Sequence, residues 1–202
     1  MRTHTLSFRW RANRQLGAIA KWHPPFGDIC AELKVQAIAL DELGLAMMDG
    51  TSPPAEKIFR GAALARSQTF FLGTLSLVKD NPLGAIVLLR AYVEVLAATA
   101  YVQKNRHQMK SMFEPASRPG LEKRIQTLVG EWTPMVRDLY RFLTDHFHFN
   151  NPHHPLQRIP GKNKDFVLAR VYGDDEQLSS GVLTTLAQIT ERQIEEMRRL
   201  AK

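Results

Sequence analysis

The sequence contains a single cysteine, Cys30, among 202 residues. One thiol excludes an intrachain disulfide framework and a zinc site built from several cysteines. This usage is typical of a reducing compartment, and we expect a cytoplasmic protein. Signatures of common nucleotide enzymes and zinc hydrolases are also missing: there is no glycine-rich phosphate loop, dinucleotide-binding fingerprint, nucleophile elbow or His-Glu-x-x-His motif. We therefore predict no cofactor.

Acidic residues are absent from the first 27 positions, which carry five basic side chains: Arg2, Arg9, Arg11, Arg14 and Lys21. The whole chain has 27 basic and 20 acidic side chains, so without these five the net charge falls from +7 to +2. We predict a basic N-terminal arm over residues 1–27 and a single helical-bundle domain over residues 28–202. The arm is interpreted as a segment that contacts nucleic acid or acidic membrane, or as a solvated tail. No apolar stretch follows the basic start, which predicts no secretory signal.

One long apolar run, residues 82–103, carries only two charges, Arg90 and Glu94. A helix that is apolar on all sides is typical of a buried position. Two charges in its middle argue against a membrane span, so we expect no membrane contact by this helix. The charges lie four residues apart and therefore share a face, where we expect them to pair.

Periodicity and stop signals predict an all-α fold, a bundle of about five to six helices around the helix 82–103. The other predicted helices span residues 28–48, 53–78, 121–129, 133–148 and 176–200, and residues 165–172 are predicted to be extended. In the helix 53–78 we expect an apolar stripe of Ile58, Ala62, Ala65, Thr69, Leu72 and Leu75. In the last helix we expect an outer face of Glu191, Arg192, Glu195, Glu196, Arg198 and Arg199.

A dense polar cluster spans residues 140–154, YRFLTDHFHFNNPHH, and holds four of the seven histidines. Three interpretations stay open. Imidazole and carboxylate groups are metal ligands, so these histidines with Asp145 are a candidate metal site. Alternatively, the histidines end a helix, where a positive charge complements the helix dipole. In the third interpretation Arg141 binds a phosphate and His146 or His148 transfers a proton, a combination that suffices for metal-free RNA cleavage.

A late helix with Arg-x4–6-His in an all-α chain resembles the HEPN superfamily (higher eukaryote and prokaryote nucleotide-binding domains). The chain is more similar still to a group of uncharacterised bacterial HEPN-like helical proteins. They carry Leu-Arg-small-x-x-Glu, matched by Leu89-Arg90-Ala91-Tyr92-Val93-Glu94, and further on Tyr-x-x-Leu-Ser/Thr-x-x-x-His, matched by Tyr140, Leu143, Thr144 and His148. The resemblance covers about residues 55–155.

This resemblance implies a homodimer with one composite RNA-cleaving site, often in a toxin or defence effector, that needs no metal. By the same resemblance, Arg141 stabilises the phosphate and His146 or His148 acts as acid and base. In the closer relatives, the Arg90, Glu94, Tyr140, Thr144 and His148 elements are expected to meet in one polar network.

Two hypotheses about function follow. The first is a metal-independent endoribonuclease or RNA-binding effector, with RNA held by the basic arm and with an antitoxin or other protein as a partner. The second is a non-catalytic interaction module in which the same residues are structural.

Overall fold

The computed structural model describes residues 3–46, 53–128, 136–141 and 176–201. These residues are almost entirely helical and contain no strand, which confirms the all-α prediction. The predicted extended segment 165–172 lies outside the described residues. The elements are α1 Thr3–Trp22, α2 Gly27–Ala46, α3 Pro54–Leu77, α4 Pro82–Lys104, α5 Leu121–Ile125, the helical residues 136–141 (α6) and α7 Glu176–Leu200, with 3-10 helices at Pro24–Phe26 and Arg106–Phe113.

The apolar helix α4 lies at the centre of the fold, as its sequence predicts. It packs against α3, α5 and α7 and against the 3-10 helix Arg106–Phe113. By length and composition α4 would be able to cross a membrane, but 56% of its most apolar window is buried inside the protein. Such burial is what a core helix requires, and one helix of this kind is weak support for a membrane span.

The start of α4 is fixed by its cap. The side chain of Asn81 accepts a hydrogen bond of 2.8 Å from the backbone N–H of Gly84. A Cβ atom at position 84 would lie 2.6 Å from the Asn81 amide nitrogen, so only glycine leaves room for this contact. Pro82 occupies the first turn, where its missing N–H costs nothing.

Of the interpretations given for residues 1–27, the solvated tail is wrong for residues 3–22. Residues Thr3–Trp22 form α1, and one face of this helix is buried against α2 and α3. The buried side chains recur every three or four residues, which is the helical period: Phe8, Ala12, Leu16 and Ile19. Four of the five basic residues, Arg9, Arg11, Arg14 and Lys21, thus belong to a helix whose apolar face joins the core.

The apolar stripe expected on α3 is wrong for three of its six members. Ile58 is 62% exposed, and Ala65 and Thr69 are also exposed. The buried face lies on the other side of the helix and includes Phe59 and Phe71. These aromatic rings offer more apolar area than the alanines of the expected stripe, and their burial decides the orientation.

The outer face expected on α7 is wrong for two of its six members. Arg192 and Glu196 are buried, at 4% and 1% exposure, and form an ion pair of 2.7 Å. Because α7 packs against α2, α3 and α4, its buried side chains are not confined to one narrow stripe. The side of α7 that faces the core is apolar, and residues such as Val182, Leu186 and Met197 are buried there.

Candidate functional site

Four side chains on the solvent side of α1 form a surface that we call the α1 basic face: Trp10, Arg11, Arg14 and Lys21. All four are exposed, and Trp10 has 61% of its surface exposed to solvent. The guanidinium of Arg14 lies over the Trp10 ring, 5.4 Å from its centroid. Since residues four apart share one side of a helix, Trp10 and Arg14 stack, while Arg11 lies beside this pair and Lys21 lies about two turns further along the exposed side. The α1 basic face therefore combines positive charge with an accessible aromatic ring.

Two of the five basic residues predicted to bind nucleic acid fall elsewhere. Arg9 is exposed but lies toward α2, where its positive charge favours the ionised form of Asp41. Burial of that carboxyl outweighs this attraction and raises the pKa of Asp41 above its ordinary value. Arg2 lies outside the described residues. The structure thus brings three of the five predicted cations together on one surface.

The predicted polar network connects α4 to α6. Nη2 of Arg90 donates a hydrogen bond of 2.8 Å to the hydroxyl oxygen of Tyr140. The same hydroxyl donates to Oε1 of Glu94 at 3.2 Å. Tyr140 therefore bridges the two charges that the sequence placed on one face of α4. The predicted members Thr144 and His148 lie outside the described residues.

Further contacts hold α6 against the fold. Val136 is completely buried, and Arg137 forms an ion pair of 2.6 Å with Glu122 of α5. Arg141 follows Tyr140 and is exposed. The structure therefore leaves the guanidinium of this predicted catalytic residue open to solvent, while the predicted His146 and His148 lie outside the described residues.

A cavity of about 320 Å³ lies between α3, α4, the 3-10 helix Arg106–Phe113 and the start of α5. Its lining combines phenylalanine rings and alanines with three arginines, Arg66, Arg118 and Arg124. Glu94, a member of the α4–α6 network, also lines this cavity. No group of three His, Cys, Asp or Glu side chains able to hold a metal ion occurs in the part of the chain that the structure describes. His146, His148, His153, His154 and Asp145 lie outside that part.

Other charged residues have structural partners. Arg60 binds Glu56 one turn earlier and the carbonyl oxygen of Leu200, at the end of α7. Arg106 donates to the same carbonyl oxygen at 3.2 Å. Two guanidinium groups at a helix C-terminus satisfy its free carbonyl groups and complement its dipole. We therefore assign these arginines to the stability of the fold.

Sequence reasoning missed Trp10 and the three arginines of the cavity. A signal existed for Trp10, because it stands between Arg9 and Arg11 in a segment whose apolar residues follow the helical period. None existed for the arginines, which come from three separate segments that only the tertiary structure brings together. Comparison with known proteins adds no assignment, since no family model, no curated protein and no solved structure matches this chain.

Proposed function

We propose that this protein binds single-stranded RNA through the α1 basic face. The observation that carries the proposal is the exposed Trp10 ring with the Arg14 guanidinium stacked over it. Proteins that bind single strands combine cations that follow the phosphates with aromatic rings on which bases stack. Trp10 offers the ring, and Arg11, Arg14 and Lys21 offer the cations on the same surface.

The packing of α1 supports this assignment. Leu16 is fully buried, and the Phe8 ring meets the Phe71 ring edge-on at 5.9 Å between centroids. A helix anchored in this way presents its cations and its tryptophan at fixed spacing. Less side-chain and backbone entropy is then lost when a strand binds than for a solvated tail.

RNA cleavage is the second part of the proposal, and it rests on the HEPN-like resemblance together with the position of Arg141. Tyr140 is held by Arg90 and Glu94, and Arg141 extends from the anchored helix into solvent. In the proposed chemistry Arg141 stabilises the phosphate, and His146 or His148 transfers the proton. Two copies of the chain would contribute to one site in a toxin-like or defence-type effector, with no metal.

A specific observation favours the second candidate function, a non-catalytic interaction module. The Tyr140 hydroxyl contacts both Arg90 and Glu94, so three of the residues singled out by the resemblance already have structural partners. In this alternative the network only attaches α6 to α4, and Arg141 plays no part in chemistry.

An assay for cleavage of labelled RNA in the presence of EDTA distinguishes the endoribonuclease from the interaction module. The variants are Arg141→Ala and His148→Ala, and the control is Arg198→Ala, an equally exposed arginine on α7. We expect cleavage by the wild type and the control, and loss of at least about 100-fold in the two variants, as for removal of a general acid or base. Circular dichroism checks the folding of each protein. Intact RNA after incubation with the wild type would favour the interaction module.

A further inference from the structure

The cavity between α3 and α4 has the size and the composition of a ligand site. Its volume is about 320 Å³, within the range of roughly 300–1,000 Å³ in which small-molecule pockets fall. Such pockets are mostly apolar and contain a few polar groups that fix orientation. This cavity is more polar than that, with an apolar part and a cationic part of comparable area.

The apolar part is formed by aromatic rings above small side chains. Phe59 and Phe113 meet edge-on with 6.2 Å between their ring centroids, and Phe113 remains 46% exposed. Ala62 on α3 and Ala91 on α4 leave the space between the helices open. A flat apolar group the size of an aromatic ring is the occupant that these surfaces favour.

The cationic part holds three guanidinium groups and one carboxylate. The Arg66 guanidinium has no hydrogen bond or ion pair with another described residue, and the side chain is exposed where it lines the cavity. Nε of Arg118 donates to the carbonyl oxygen of Met112 at 3.1 Å. The carboxylate is Glu94, which also accepts from Tyr140. The formal charge of the lining is therefore positive.

Arg124 is the one cation of the three that is partly buried. Its Nη1 donates only a long hydrogen bond, 3.5 Å, to the carbonyl oxygen of Glu94. Its Nε is buried and has no hydrogen-bond partner within the described part of the chain. Burial lowers the pKa of Arg124, the charge of Glu94 raises it, and the neighbouring charge of Arg118 lowers it. A bound anion would offset the two effects that disfavour its positive charge.

The geometry points to a binding site for a small aromatic anion in this cavity, with its ring among the phenylalanines and its carboxylate or phosphate monoester against Arg118 and Arg124. The inference goes beyond RNA binding and does not rest on it, because no cavity residue belongs to the α1 basic face.

Titration of the full chain followed by ligand-observed NMR tests this inference. The probes are phenyl phosphate, phenylacetate and the neutral benzyl alcohol. We expect at least one of the two anions to bind about tenfold more tightly than benzyl alcohol, because the neutral alcohol cannot form a charge-assisted hydrogen bond with the arginines. The tighter of the two anions identifies the head group. Equal affinity for the anions and benzyl alcohol, or no binding of either anion, would overturn the inference.

Matched variants locate the bound probe. Ala62→Leu fills the cavity and should abolish binding, whereas Ala65→Leu changes an exposed position one turn away and should not. Arg124→Gln should weaken anion binding about tenfold, whereas Arg14→Gln on the α1 basic face should leave it unchanged. Binding that survives both cavity variants, with their fold verified by circular dichroism, would assign the anion to another surface and contradict the inference.

Discussion

Arg90 and Tyr140 are joined by a hydrogen bond of 2.8 Å although they lie 50 residues apart in the sequence. The Arg90 guanidinium carbon also lies 5.1 Å from the centroid of the Tyr140 ring, so the contact combines a hydrogen bond with a cation–π interaction. Glu94 completes the group through the tyrosine hydroxyl. This contact fixes α6 on the central helix and thereby the position of Arg141.

We predict that Tyr140→Phe lowers the free energy of unfolding by about 1–2 kcal/mol, because a hydroxyl that bonds two charged groups is removed. The phenyl ring keeps the stacking contact with Arg90, so the loss reports the hydroxyl alone. Urea denaturation followed by circular dichroism measures the change. Asp138→Asn, an exposed substitution on the same helix, is the control and should stay within about 0.5 kcal/mol of the wild type. A Tyr140→Phe protein as stable as this control would show that the network does not hold α6.

The second prediction concerns Tyr92, a completely buried side chain of α4. Burial raises the pKa of its hydroxyl well above the ordinary value of 10.0, and nearby Thr190 and Ser67 offset this only in part. The unfolded chain therefore releases the tyrosine proton at a lower pH than the folded chain does. The stability that the folded state gains from keeping Tyr92 protonated is fully present below about pH 10. It is lost as the pH rises above this value.

We expect the free energy of unfolding to fall above pH 10 with a contribution from Tyr92 of up to about 1.4 kcal/mol per pH unit. Tyr92→Phe removes the titrating group, so the decline of stability between pH 10 and pH 11 should be shallower in this variant. Urea titrations at several alkaline pH values measure both slopes. Identical slopes in the two proteins would contradict the assignment.

Helical periodicity and stop signals in the sequence were sufficient to predict α2, α3, α4, α5 and α7, but α1 was missed. The apolar run 82–103 and its flanking Asn81 and Pro82 define α4 almost to the residue, because capping and burial are properties of the local sequence. The proline pair at positions 53 and 54 likewise marks the start of α3. The Arg90, Glu94 and Tyr140 part of the network was also predicted, from a resemblance and from helical spacing.

The buried face of a helix depends on the helices that pack against it. The buried faces of α3 and α7 were therefore predicted only in part. Arg192 and Glu196 read as a solvated pair at helical spacing, but both are buried on α7, which packs against α2, α3 and α4. Because the two charges pair with each other, they can occupy buried positions for which a sequence pattern predicts apolar residues. Half of the expected stripe on α3 (Ile58, Ala65 and Thr69) failed for a related reason, since small and β-branched residues at helical spacing are compatible with several faces.

Binding of a fluorescently labelled single-stranded oligouridylate, measured by anisotropy over a range of salt concentrations, tests the RNA-binding proposal most directly. We predict that Trp10→Ala weakens binding by about 1–3 kcal/mol, the contribution of one stacked base. Val35→Ala, which truncates an apolar side chain on α2 that is 67% exposed, should bind as the wild type does. Arg14→Gln should reduce the salt dependence by about one unit in the slope of log K against log salt. Equal affinity of the wild type and Trp10→Ala, or affinity that does not change with salt, would contradict RNA binding by the α1 basic face.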